Sequence, residues 1–263
     1  MNARDVADPE SCRRRLTEDG YFVLHGHVPK AFVRRLCEVT DALFAAEGDR
    51  AGWEFKREPG ALRLANLVDK HEVFWEVIAD AVVLRLVALV LGDRFKLSSL
   101  NARAALPGCG EQPLHTDMGG LPDERGSWVC NAVWLLDDFT ERNGTLRVIP
   151  GSHRWGRLPG EVLADPAAPH PDQRLITAEA GSVVVFDAHL WHSGTRNQSD
   201  DLRRALHAFY CRWDKPQQQY QKALLRADTQ RRLPPELRRL LALDDPCNDR
   251  LSRAVVRRSG FLE

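Results

Sequence analysis

The period of the apolar positions changes twice along this chain. Between Pro29 and Glu47 the apolar residues Phe32, Val33, Leu36, Val39, Leu43 and Phe44 recur at helical spacing, which predicts an amphipathic helix opened by proline. A shorter helix is expected over 11–19, halted by Gly20 and followed by a strand over 21–25, with two further helices over 71–79 and 80–91, closed by Gly92. From Phe95 the pattern turns to strand-like runs broken by Gly, Pro, Asn and Asp. It predicts strands over 95–106, 128–136, 145–149, 182–188 and 203–212. A proline-rich loop around 157–175 is expected to stand over one end of the sheet. After Trp213 the positions Leu224, Leu225, Leu233, Leu237, Leu240 and Leu241 mark a return to helix.

Helices on both sides of a β-rich middle, with no internal repeat or low-complexity linker, predict one β-rich α+β domain over 1–263. The architecture expected is a double-stranded β-helix (jelly roll, cupin-like) spanning 94–213, buttressed by a helical wrapper at 9–92 and by C-terminal helices at 216–258. Composition adds exclusions. Basic and acidic residues balance at 37 each, so no global field draws the chain to nucleic acid or to a membrane surface. The arginine clusters at 13–15 and 231–239 fall in helical patterns and read as solvated faces. The first ten residues are too polar and acidic for a signal peptide, and no apolar run approaches a membrane span, which predicts a cytoplasmic protein. The 6 cysteines lack metal-binding or paired spacing and read as free thiols. Whether the chain is a monomer or a homodimer is left open by the pattern.

The chemistry concentrates in three residues. In an extended segment, residues two apart point the same way, so His115 and Asp117 of Pro-Leu-His-Thr-Asp can offer an imidazole and a carboxylate to one metal ion. A second imidazole comes from His192 in Leu-Trp-His-Ser-Gly. Two histidines and one carboxylate on one face, with positions left open, form the ligand set of non-haem Fe(II) oxygenases. The same set with a water molecule also describes a catalytic zinc site, which keeps a zinc-dependent hydrolase in play. A jelly-roll binding module without catalysis is the other alternative. Eleven residues beyond His192, Arg203 heads an apolar strand, and a guanidinium buried there calls for an anion such as a dicarboxylic co-substrate. By strand alternation Arg204 points to the opposite face, and His207 shares the face of Arg203.

Four segments, Gln112-Pro-Leu-His-Thr-Asp117, Asn143 to His153, Gly181 to Asp187, and His192-Ser-Gly through Arg203-Arg-Ala205, resemble the phytanoyl-CoA dioxygenase family of Fe(II)/2-oxoglutarate oxygenases. The similarity runs over roughly 15–215. It implies a jelly roll, Fe(II), 2-oxoglutarate as co-substrate and O₂. It further implies His115, Asp117 and His192 as iron ligands and Arg203 as the partner of the distal carboxylate of 2-oxoglutarate. Gln112, Asn101, Trp134 and Thr145 sit where family members line the co-substrate pocket. His189 stands at the wrong distance from Arg203 to replace His192, and His153 reads as a turn-stabilising residue. Related halogenases carry a small residue where this chain has Asp117, which favours hydroxylation. The primary substrate is expected between the open metal face, the loop from Trp53 to Asn66 and the C-terminal helices, with Trp53, Phe55, Arg63, Asn66 and Trp128 as candidate contacts. A small metabolite or natural-product intermediate is the expected substrate, released hydroxylated with succinate and CO₂ as co-products.

Overall fold

Each change of period marks a change of layer. The computed structural model describes residues 9–253. Its N-terminal part runs α1 (Pro9–Glu18), β1 (Tyr21–Leu24), α2 (Lys30–Glu47), β2 (Ala61–Leu64), α3 (Leu67–Lys70), α4 (Val73–Ile78) and α5 (Ala81–Leu91). The middle contains β3 (Phe95–Ala105), β4 (Val129–Leu135), β5 (Leu146–Val148), α6 (Pro159–Val162), β6 (Arg174–Ile176), β7 (Val183–Asp187), β8 (His192–Gly194) and β9 (Arg203–Arg212). Four short helices follow, α7 (Gln221–Leu224), α8 (Ala227–Arg232), α9 (Pro235–Leu240) and α10 (Pro246–Ser252). The part of the expected C-terminal helical region beyond residue 253 lies outside the described residues.

The strands form two antiparallel sheets facing each other, a major sheet ordered β1-β7-β4-β9-β3-β2 and a minor sheet ordered β6-β5-β8. Three of these strands escaped the sequence pattern. β2, β6 and β8 are only three or four residues long, too short for a period of two to register.

Side-chain alternation sorts the major sheet into two faces. Cys130, Ala132 and Trp134 of β4, Val183 and Val185 of β7, and Leu206, Ala208 and Tyr210 of β9 face one apolar core. Residues from helices at both ends of the chain join that core, among them Leu16, Leu36, Phe74, Leu86, Leu225 and Leu237. Val133, Leu135, Val184, Phe186 and Ala205 face the other way, into the space between the sheets. α5 shows how locally this is encoded: the Asp80 side chain accepts from the backbone amides of Val82 and Val83, capping a helix whose Val83, Leu86, Val87 and Leu91 are buried.

One irregularity in β3 aims its side chains. Its pairing with β9 slips between Leu97 and Ser99, so Leu97 and Leu100 both reach the helical core while Ser99, Asn101 and Arg103 turn inward. A regular strand could not place residues three apart on one face. The backbone freed by the bulge is taken up after β9, where the amide of Gln219 donates to the Ser98 carbonyl (3.0 Å) and the amide of Gln218 to the Ser98 hydroxyl (2.5 Å). The sequence pattern, which predicts only helix beyond Trp213, did not show this irregular glutamine segment.

Candidate metal centre and co-substrate cavity

His115 and His192 lie directly opposite one another, each donating its backbone N–H to the other's carbonyl (3.0 and 2.9 Å). This pairing extends the minor sheet by one bridge beyond β8 and sets the two imidazoles side by side, ring centres 4.5 Å apart. Asp117 is held two residues on by its own backbone N–H, which donates to the Ala188 carbonyl (2.9 Å). Its carboxylate lies 3.9 Å from His115 Nε2 and 3.5 Å from His192 Nε2. The ligand atoms of the three residues fall within 4.8 Å of one another, as one metal ion requires.

The far side of each ring confirms the fit. His115 Nδ1 lies 2.9 Å from the Pro113 carbonyl and His192 Nδ1 lies 2.8 Å from the Leu190 carbonyl. A carbonyl can only accept, so both Nδ1 atoms carry the proton and both Nε2 lone pairs are left for a metal. Asn131 on β4 donates through Nδ2 to Asp117 Oδ2 (3.0 Å), while its own Oδ1 is buried without a partner. Electrostatics agree for His115 and Asp117, while His192, until a metal binds, leans on Asp117 through the same Nε2. Enclosure, then the neighbouring His192, push His115 down to about 4, so it is neutral at physiological pH. Burial alone would raise the Asp117 carboxyl, but the two histidines and Asn131 outweigh it and hold the group well below the carboxylate range. Burial would likewise lower His192, and Asp117 reverses the sign.

The triad opens onto a cavity of about 1060 Å³ between the sheets. Along the major sheet its lining follows the register: Arg203 beside Ala105, then Arg103 beside Ala205, then Asn101 beside His207 and Val133, then Ser99 beside Phe209 and Asn131. Arg203 is 5% exposed, its guanidinium stacks over Phe139 at 4.3 Å, and its Nε has no partner. Burial, then repulsion from Arg103, pull it down to about 9. Such a depression reflects a guanidinium without an anion rather than one ready to lose its proton. Arg204, one residue on, points away as alternation predicts and pairs with Asp137 (2.7 Å) and Asp41 (2.5 Å). His207 is pushed down to about 3 by burial and by Arg63, which keeps its imidazole neutral.

Of the other residues singled out, Gln112, Asn101 and Thr145 all line the cavity. Gln112 accepts from the Gly194 amide (3.2 Å) and donates to Glu58 (3.3 Å); the Asn101 side-chain oxygen accepts from Gln219 Nε2 (3.0 Å) and the Asn66 amide (3.3 Å). Trp134 does not reach the cavity. It belongs to the opposite face of β4 from Asn131 and Val133, inside the helical core and edge-on to His27. Among the substrate candidates Phe55, Arg63 and Trp128 line the cavity, whereas Trp53 and Asn66 do not. Trp53 is 65% exposed beside Arg57. Asn66 is consumed by structure: it has a positive φ of 53°, donates to the Leu224 carbonyl (3.3 Å), and is buried. His189 is turned away from the triad, with Nε2 accepting from the Trp128 amide (3.3 Å), and His153 ties its turn to the Thr17 carbonyl (3.1 Å).

Sequence reasoning passed over three residues of this site. Asn131 orients Asp117; Glu58 accepts from Arg63, Arg103 and Gln112 at once; Gln218 enters the cavity wall from beyond β9. Only Asn131 left a trace, as a lone amide in an apolar strand. Enclosure raises the Glu58 carboxyl, but the two arginines reverse this and bring it down to about 2.

A jelly roll holding a His-Asp-His triad and an unpaired arginine in one cavity defines a class of metal-dependent oxidative enzyme, and comparison with known proteins agrees. The chain belongs to the phytanoyl-CoA dioxygenase family, whose model matches residues 16–205. It is 31% identical over 233 residues to dioxygenase af480 of Aspergillus fumigatus, covering 83% of this chain and 74% of that protein. It is 27% identical over 216 residues to the iron/alpha-ketoglutarate-dependent dioxygenase okaE of Penicillium ochrochloron, covering 76% and 69%. Among solved structures, the non-heme alpha ketoglutarate dependent carbocyclase SnoK from nogalamycin biosynthesis superposes with a TM-score of 0.65 at 20% identity, over 79% of this chain and 85% of that one. The epimerase SnoN from the same biosynthesis gives 0.63 at 19% identity, over 80% and 84%. These two share the fold. Among the described residues no helix is long and apolar enough to cross a membrane.

Proposed function

We propose that the chain is an Fe(II)/2-oxoglutarate-dependent oxygenase that hydroxylates a small metabolite or natural-product intermediate, with His115, Asp117 and His192 holding the iron and Arg203 the distal carboxylate of 2-oxoglutarate. The observation that carries this reading is Arg203: a buried guanidinium with no carboxylate partner among the described residues, in the same cavity as the triad. A zinc hydrolase has no use for it, and a binding module has no use for two histidines whose Nε2 atoms are freed toward one carboxylate. When bound, iron and 2-oxoglutarate together supply an O₂-derived oxidant, releasing succinate and CO₂.

The protein's part is placement. Asn131 holds Asp117 Oδ2, the oxygen that faces His192, and so fixes the plane of the carboxylate, and the carbonyls of Pro113 and Leu190 fix both tautomers. Asn101, Gln112 and Thr145 line the path from Arg203 to the triad, and Phe139 shields the guanidinium from water, where its pairing with a carboxylate is strongest. A carboxylate at position 117 leaves no room for a halide ligand, which favours hydroxylation over halogenation. Anaerobic addition of Fe(II) and 2-oxoglutarate to the apoprotein is expected to give a weak visible charge-transfer band, and Asp117→Ala to abolish both the band and succinate formation. Tight zinc binding with no band, or full activity in the variant, would defeat this reading.

A further inference from the structure

The cavity divides into two ends along β9. Arg203 lies six residues from Phe209, about 20 Å along an extended strand. Phe209 pairs with Asn131, which holds Asp117, so the triad lies on the Phe209 side of Arg203, and in the oxygenase reading 2-oxoglutarate would occupy the space between the triad and the Arg203 guanidinium, which reaches toward it from its end of the strand. On the other flank of Phe209, at the same level, Ser99 carries Gln218. Two strand spacings, about 10 Å, separate Ser99 from Asn131 across the sheet. The cavity lining includes the apolar Phe209, Met118, Trp128 and Phe55 together with the polar Lys56, Arg63 and Asn131.

Gln218 is 6% exposed and is fixed at every point but one. Its backbone N–H donates to Ser98 Oγ, and its side-chain oxygen accepts from Ser99 Oγ at 2.6 Å. The amide nitrogen is left with two N–H donors turned to the cavity and no partner among the described residues. In the open cavity water can satisfy these donors, and a ligand that displaces it must supply an acceptor or leave them unmet. Gln218 also lies beyond residue 205, where the family match ends, on the segment that the β3 bulge recruits.

We propose that Gln218 is a specificity-determining residue: its side-chain N–H donates to an oxygen acceptor, a carbonyl in first place, on the primary substrate. This rests on the oxygenase reading for the position of the metal, but the binding it describes does not require turnover. A site built to hydrogen-bond one substrate oxygen discriminates strongly against analogues that lack it.

The test uses fused-ring ketones, each beside its alcohol and its deoxo counterpart. Dissociation constants are measured by calorimetry on the full chain under anaerobic Fe(II) and saturating 2-oxoglutarate. Wild type is expected to bind ketones at least tenfold more tightly than the deoxo compounds. Gln218→Glu keeps the acceptor for Ser99 but replaces the donor with a carboxylate, so its preference should invert from ketone to alcohol, which a merely structural role would not produce. Ser99→Ala frees the amide to turn and should weaken the ketone preference about threefold. A panel in which no ketone outbinds its deoxo partner, or a preference that survives both substitutions, overturns the proposal. Succinate release is followed separately: its absence beside an intact, Gln218-dependent ketone preference would sink the oxygenase reading and leave this one standing.

Discussion

Arg203 and Arg212 close the two ends of β9 and are almost equally buried, 5% and 4% exposed. Arg212 is saturated. It donates to both oxygens of Asp123, to both oxygens of Asp214 and to the Gly126 carbonyl, and these partners raise it above its ordinary range. Arg203 has a phenyl ring on one face, an unpartnered Nε and a guanidinium pulled down by burial. One strand and one residue type thus give a structural cation at one end and a waiting cation at the other. Burial alone does not separate them; the count of satisfied donors does.

The comparison can be broken most severely at the structural end. Arg212→Met removes five charge-assisted hydrogen bonds while Asp123 keeps Lys215 and Asp214 keeps Arg125, and is expected to cost about 2–3 kcal/mol in urea unfolding. A loss within experimental error would make the network ornamental. At the waiting end, Arg203→Met should raise the 2-oxoglutarate KM about 100-fold, equivalent to about 2.7 kcal/mol, with iron binding kept and apoprotein stability equal or higher. Lost iron would instead assign Arg203 to the metal site. The same contrast can be read thermally: 2-oxoglutarate at 100 times its Kd should stabilise the iron-loaded wild type by about 2.7 kcal/mol, and at that concentration the Arg203→Met protein by only about 0.4 kcal/mol.

A carboxylate counterpart sharpens the point. Burial raises Asp187 to about 6, against Ser127 and the His189 amide, which lower it. A raised carboxyl means that the native state prefers the protonated form. That contribution to stability is present below pH about 4 and lost as pH rises through about 6. Asp187→Asn, a mimic of the protonated form, should therefore match wild type near pH 4 and exceed it by about 2 kcal/mol near pH 8. Unchanged pH dependence would show the group to be ionised at little cost. The smallest effect is expected at Arg204, whose pairs are half-exposed: Arg204→Ala should cost about 1 kcal/mol and leave 2-oxoglutarate binding unaffected.

The parts of the site that repeat at a spacing of two were legible in the sequence: His115 with Asp117, and the opposite facing of Arg203 and Arg204. So were the long helices α2 and α5 and the strands β3, β4, β7 and β9, where the period has room to register. What alternation gives is relative, however. It shows that Asn131 and Trp134 face opposite ways without showing which one faces the cavity, and the resemblance chose Trp134. The bulge in β3 defeats alternation altogether, because one extra residue inverts the faces of everything on one side of it. Glu58 and Gln218 were invisible for another reason. Their roles come from contacts 45 and 119 residues away in sequence, which no local pattern records.

The order of the major sheet has a consequence for the birth of the molecule. β9 is the last strand among the described residues and lies between β4 and β3, so a nascent chain that ends before Arg203 carries two strands with open edges. Until β9 inserts, neither edge is covered and the cavity lacks the wall that carries Arg203, His207 and Phe209. Truncations before residue 203 should collect as aggregates rather than as a smaller folded unit, and completion of the sheet and completion of the cavity become one event in biogenesis.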